Sequence, residues 1–463
     1  MPSRLAIVVS HPIQYYSPWF RDLASRPELR LKVFYLWDFG VTEKRDPVFG
    51  TSFKWDVPLM EGYESTFVPN VSRDPGTHHF KGLDNPGLVA AIAEWKPDAI
   101  LLIGYNYKSL LRLIFSPRLR KIPILFRGDS HELSPVTGIK PQLARFLRRV
   151  IFSRFDRVLA VGKASVGYFR GSGVPQKRIR IVSHCIDNER FRSAASQAGQ
   201  EAQNWKRELG IPEGATVVLF AGKLENKKRP QDLLEAFLAL MSRTSNVEGP
   251  TPSHREMRAE GISSSPRTLK VECPEPCQGA TNQDAVSFSP RLSTFDSRPS
   301  SNPVLLFVGS GPLEAELRAM AGEHLGREVF FAPFQNQSAM PRVYATGDVL
   351  VLPSQGRGET WGLAVNEAMN LGLPAIVSSH VGCGPDLIRE GETGWVFKAG
   401  ERDDLGRVLR EALSDPVRLR KMGENAKELI SAFSFEAATE KVVEAVKEIR
   451  VDGGELESER LKG

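Results

Sequence analysis

The chain has 463 residues, 41% of them hydrophobic and 25% charged, with 61 Lys and Arg against 55 Asp and Glu. This composition excludes a wholly disordered or collagen-like chain, and the length predicts two or three domains, each long enough to bury its own core. The longest apolar runs fall well short of the roughly 20 residues that span a bilayer. Four cysteines are too few for a disulfide framework, and Met1–Arg4 leads straight into Leu5–Val9, so the expected location is cytoplasmic.

In chain order, short apolar runs at Leu5–Val9, Leu31–Leu36, Ala99–Ile103, Ile122–Phe126, Val158–Val161 and Ile179–Val182 predict strands buried on both faces. A second series follows at Val217–Phe220, Val304–Val308, Val329–Phe331, Val349–Leu352 and Ala375–Val377. Helical patterns lie between them, as at Pro230–Met241, Pro312–Leu325 and Gly362–Leu371. Strand–helix alternation twice over predicts an α/β fold of two Rossmann-like domains facing across a cleft. The expected boundaries are 1–195 for the first domain, 196–215 for a linker and 216–434 for the second domain. Beyond them, 435–463 is an amphipathic helix with an acidic tail, long enough to pack back on the first domain.

Residues 243–302 break the pattern. They hold 29 Ser, Thr, Pro, Gly or Asn among 60 and no sustained apolar period, which predicts a disordered insertion. Cys273 and Cys277 within it lack partnering His or Cys, so no metal site is expected there. The charge is also uneven: residues 1–200 carry 30 basic and 17 acidic side chains, whereas 201–463 carry 31 and 38. Most of the basic excess lies in 101–192, with 19 against 5. Nucleic acid, anionic lipid and an acidic substrate all suit such a half. The segment has no recognised nucleic-acid-binding pattern, so nucleic acid is not the expected partner.

Three strand ends carry chemistry. After Val349–Leu352, a Gly-rich loop brings Glu359 just ahead of a helix that contains Glu367. A helix N-terminus suits phosphate, and two carboxylates suit the hydroxyls of a sugar or ribose. The residues alone also fit a blander arrangement, with Glu359 serving the helix terminus and Glu367 solvated. After Val217–Phe220 come Lys223, Lys227, Lys228 and Arg229, cations suited to a diphosphate whose charge grows as it departs. Gly309-Ser310-Gly311-Pro312 makes a tight turn after a third strand.

Together Gly222-Lys223-Leu224, Lys228, Gly309–Pro312, the loop from Phe334 and Glu359-x7-Glu367-Ala-Met resemble a retaining glycosyltransferase of family 4, with the GT-B fold. Across the first domain the likeness is looser, through Gly104-Tyr-Asn, Arg127-Gly-Asp-Ser-His131 and Gly173-Val-Pro. The resemblance implies that Lys223 and Lys228 hold the donor pyrophosphate and that Glu359 binds donor-sugar hydroxyls. By the same likeness the N–H groups of Trp361, Gly362 and Leu363 lie near sugar or phosphate. Glu367 is then the ribose ligand, Phe334 lies against the base, and His131 faces the transferred sugar from an acceptor-side first domain. A loop histidine next to Asp129 also fits a purely local hydrogen-bond role.

One departure is the turn after the first strand. Where family members often carry Gly-Gly, this chain has Ser10-His11-Pro12-Ile13-Gln14-Tyr15-Tyr16, so His11, Gln14 and Tyr16 are expected to shape the acceptor side. No Asp-x-Asp occurs, and transfer without a metal cofactor is the expectation. The expected partners are a nucleotide-sugar donor and a glycan, lipid-linked or small-molecule acceptor. A nucleotide-sugar 2-epimerase of the same fold and an inactive nucleotide-sugar-binding protein are the alternatives. Arg145–Arg157 joins cations to an apolar face, which fits either a helix packed on the first sheet or peripheral docking on an anionic membrane.

Overall fold

A computed structural model describes residues 1–42, 44–45, 52–133, 139–245, 303–356 and 358–460. In the first half the strands are β1 (Ser3–Val9), β2 (Leu29–Tyr35), β3 (Lys44–Arg45), β4 (Ser52–Phe53), β5 (Glu64–Phe67), β6 (Ala99–Ile103), β7 (Ile124–Gly128), β8 (Arg157–Ala160) and β9 (Ile179–Ile181). The second half holds β10 (Thr216–Ala221), β11 (Pro303–Val308), β12 (Val329–Ala332), β13 (Val349–Leu352), β14 (Ala375–Ser378) and β15 (Gly394–Phe397). Apart from the antiparallel pair β3–β4, they form two parallel sheets, ordered β5-β2-β1-β6-β7-β8-β9 and β12-β11-β10-β13-β14-β15. Each sheet reverses direction of growth beside its first strand, the Rossmann arrangement.

Alternation along each strand feeds two apolar layers. Leu5, Ile7 and Val9 of β1 join one cluster and Ala6 and Val8 the other. In β10, Val217, Leu219 and Ala221 divide from Val218 and Phe220 in the same way. Burial on both faces is why these runs lack polar alternation.

Two strands of the parallel sheets fall outside the predicted series. β5 reads Glu-Ser-Thr-Phe on the sheet edge and is half exposed. β15 opens at Gly394, where a Cβ would meet the Ala375 carbonyl oxygen at 1.9 Å, so close approach to β14 dictates a residue of poor strand propensity.

The segment 196–215, expected as a linker, belongs mostly to a 22-residue helix, Asn188–Leu209. Asp187 caps it by accepting from the Arg190 N–H at 3.0 Å, and Gly210 ends it at φ 77°. Its Phe191 and Trp205 join Ile211 in the core of the second half, so the chain crosses earlier, around residues 183–187. Helix Pro230–Ser245 runs past its expected end at Met241, and the rest of the 243–302 insertion lies outside the described residues.

The last helix, Phe435–Arg460, returns to the first half and continues through the stretch expected as a tail. Ala438, Val442, Val446 and Ile449 pack with Leu5, Ile7 and Trp19, and Trp19 Nε1 donates to Thr439 Oγ1 at 3.1 Å. Glu448 pairs with Arg157 at 3.1 Å and Arg180 at 3.0 Å. Among the described residues no helix is long and apolar enough to cross a membrane.

Ile449 is buried, whereas Glu448 keeps more than a third of its side chain in water. Ile449→Ala is expected to destabilise the chain by about 2–5 kcal/mol and Glu448→Ala by about 1 kcal/mol or less. Urea unfolding followed by circular dichroism measures both, and the reverse ranking would contradict this packing.

Candidate functional site

The carboxyl ends of β10, β11 and β13 open on a cleft of about 530 Å³ between the halves. Its far wall is the turn after β1, where Gln14, Tyr15 and Tyr16 face it. Both faces therefore lie at the switch point of a doubly wound sheet, the usual crevice for ligands.

The floor requires glycine. A Cβ on Gly309 would lie 2.0 Å from the Gly222 carbonyl oxygen, and one on Gly311 would lie 2.4 Å from that of Leu224. The loops after β10 and β11 thus pack backbone to backbone, with Leu224 N–H donating to Ser310 O at 3.1 Å. Three cations of the β10 loop, Lys223, Lys227 and Lys228, line the cleft. Arg229 does not: at φ 53° it turns its guanidinium onto Asp232 with two bonds of 2.8 and 2.7 Å.

Glu359 sits opposite. Its carboxylate pairs with Lys228 and accepts from Ser354 Oγ at 3.0 Å. The loop that carries it is tied to the one after β14, where Gly382 N–H donates to Glu359 O and Cys383 N–H to Trp361 O at 2.9 Å. A Cβ on Gly382 would lie 1.8 Å from Thr360 O. Gly362, at φ 101°, then starts helix Leu363–Asn370, whose first N–H groups lack intrahelical acceptors and point to the cleft end. Trp361 is buried, with Nε1 donating to Asn366 Oδ1 at 2.8 Å, and lies 5.7 Å from the His184 ring.

Glu367 closes the cleft at depth, 2% exposed. Tyr344 OH donates to its Oε2 at 2.6 Å, while Oε1 is buried without a hydrogen-bond partner among the described residues. Burial raises its pKa above the ordinary glutamate value, opposed by the Tyr344 hydrogen bond, the Arg190 charge, and the polar groups of Tyr15 and Gln337 nearby. Burial likewise raises Tyr15 and Tyr344 well above the usual phenol value, so both stay protonated donors.

His131 is placed under the Glu359 loop and outside the cleft lining. Its Nε2–H donates to Glu359 O at 3.1 Å, and its Nδ1 accepts from Leu133 N–H at 3.3 Å. Both ring nitrogens are therefore spent on main chain. Asp129 does reach the cleft and accepts from Thr360 Oγ1 at 2.6 Å. His11 stacks edge-on against Trp37 and Phe39 rather than lining the cleft, and burial lowers its pKa to about 4. Phe334 lines the opposite end, its N–H donating to Ser310 Oγ at 3.3 Å.

The structure thus brings Lys223, Lys228, Glu359, Gly362, Leu363, Trp361, Phe334 and Glu367 to one cleft. Sequence reasoning passes over Tyr15, Tyr344, Ser354 and Gln337, lone polar residues with no spacing to mark them. Among the described residues, the one grouping of three metal-ligand side chains is Asp74, His78 and His79. It lies on a first-half loop outside the cleft, where both imidazoles hydrogen-bond to Asp74.

Residues 292–429 match the model for glycosyl transferases group 1, and 55–185 match that for the glycosyl transferase 4-like domain. Sulfoquinovosyl transferase SQD2 of Arabidopsis thaliana is 34% identical over 153 residues, 32% of this chain and 28% of that relative. The chain therefore aligns with less than a third of that protein's length. D-inositol 3-phosphate glycosyltransferase of Rhodococcus opacus is 24% identical over 413 residues, 85% of this chain and 78% of that one. HepE of Anabaena, solved in complex with UDP and glucose, has a TM-score of 0.62 at 16% identity, covering 96% of this chain and 100% of its own, a likeness of fold. With both models matched and two parallel sheets facing one cleft, the chain belongs to the group 1 glycosyltransferases of the GT-B fold.

Proposed function

We propose that the chain transfers a sugar from a nucleotide-diphosphate sugar to a glycan, lipid-linked or small-molecule acceptor with retention of anomeric configuration. The observation that carries this reading is the Lys228–Glu359–Ser354 cluster at the start of helix Leu363–Asn370, with Lys223 of the same β10 loop lining the same cleft. Two ammonium groups and a helix N-terminus supply the positive charge that a departing diphosphate needs, so no metal cofactor is invoked.

In the proposed step the bond between the anomeric carbon and the diphosphate oxygen breaks, and the acceptor oxygen bonds to that carbon from the same face. The acceptor proton passes to the departing phosphate oxygen. Glu359 holds sugar hydroxyls, and no protein nucleophile is assigned. Glu367 takes the ribose, for which its unpartnered Oε1 supplies an acceptor, and Phe334 lies against the base. His131 acts through Glu359, as a positioning residue that fixes the main chain of the loop.

Lys228→Ala and Glu359→Gln are each expected to lower turnover at least about tenfold, equivalent to about 1.4 kcal/mol of transition-state stabilisation. Near wild-type turnover in both, measured with a panel of nucleotide-sugars, would remove the assignment. Conversion of the donor sugar without any acceptor would instead favour a 2-epimerase.

Glu367 gives a pH test. Its folded pKa is raised, so its contribution to stability is full below the ordinary glutamate range and is lost as pH rises through the raised value. The stability difference between wild type and Glu367→Gln is expected to fall over that window, read by thermal unfolding at a series of pH values. Donor affinity is expected to run the other way, strengthening as the carboxylate ionises. A flat profile in both would contradict the assigned role.

A further inference from the structure

We propose that helix Ile139–Phe152 and the turn after Ile114 form a docking surface for an anionic lipid bilayer. The inference goes beyond the reading of the cleft and does not depend on it.

Phe146 is 63% exposed, Leu147 54% and Val150 43%. At about 100° per residue they fall within one arc of roughly 100°, and Val150 stands about 200° round the helix from buried Phe152. The helix therefore has two apolar sides. The inner one is held by Phe152, with Phe155 next along the chain, against Phe126 and Phe169. The outer one faces water, although the core makes no use of it.

Cations accompany the outer face. Arg145 and Arg149 are exposed on the helix, and Arg118, Arg120 and Lys121 are exposed on the turn beside Phe115, itself 47% exposed. Arg154 joins the two pieces by donating to Ile114 O at 3.4 Å. The nearby carboxylates are engaged: Glu132 lies 3.9 Å from Arg148, and Asp156 accepts from Ile124 N–H at 2.9 Å. Aromatic and aliphatic side chains exposed together with arginine and lysine match a bilayer surface, where apolar groups enter the acyl boundary and cations meet anionic headgroups. A second copy is a poorer occupant, because pairing this patch with itself sets like charges against each other.

Flotation of the full chain with phosphatidylcholine vesicles, with and without phosphatidylglycerol, tests the surface. The chain is expected to float with the anionic vesicles and much less with the neutral ones. Phe146→Asp with Leu147→Asp is expected to lower partitioning at least about tenfold. Arg145→Gln with Arg149→Gln should weaken it and flatten its salt dependence. Circular dichroism and thermal unfolding like wild type establish that each variant is folded, and the two variants test the patch through different chemistry. Absence of flotation with anionic vesicles, or equal flotation of wild type and both variants, would overturn the proposal. So would a stable dimer, seen by sedimentation, that the Phe146/Leu147 variant dissociates while vesicles stay unbound.

Discussion

A carboxylate that is 2% exposed must be answered by hydrogen-bond donors or hold its proton, and Glu367 sets that demand at the meeting of the two halves. The answer comes from three parts of the chain. Tyr344 belongs to the second half, Arg190 to the helix after the crossing, and Tyr15 to the turn after β1 in the first half. The charge of one half is thus stabilised by a hydroxyl of the other, and the depth of the cleft depends on both halves. Arg190 also donates to Gln337 O at 2.7 Å and to its Oε1 at 2.8 Å, so the residue that tempers the carboxylate also fixes the loop beneath it.

The remaining contacts across the seam share a design. A side chain of one half reaches the main chain or a short polar group of the other: His131 to Glu359 O, Asn366 to His184 O, Asn336 to Lys54 O, and Thr360 to Asp129. Few of these contacts are paired charges, so burying them carries less desolvation penalty than ion pairs would. The ion pair of Lys228 and Glu359 lies within the second half and is left for the cleft.

The sequence discloses whatever is repeated or positioned by a strand end. Apolar runs mark the central strands because burial on both faces demands them, and the residues just after β10, β11 and β13 converge because parallel strands deliver their loops to one edge. Other features are invisible for physical reasons. β5 is a polar edge strand, and β15 opens with a glycine chosen for its lack of a Cβ. His131 and Arg229 occupy motif positions, yet their partners, Glu359 O and Asp232, decide where they point. Tyr15 stands where the family pattern is broken. Its value comes from Glu367, more than three hundred residues away, and no local spacing reveals that pairing.

The chain passes between the halves twice, before Asn188 and before Phe435, and the two passages touch. Asn188 Nδ2 lies 3.2 Å from Phe433 O and 3.4 Å from Ile430 O, and Asn188 Oδ1 accepts from Asn370 at 2.7 Å. Two covalent connections fastened at one spot behave as a hinge with a fixed pin: sliding and twisting of one half past the other are restrained, and rotation about that spot remains. Opening the cleft then moves its mouth far more than its base. Glu367, one turn of helix before the Asn370 that is bonded at the pin, then changes its surroundings least.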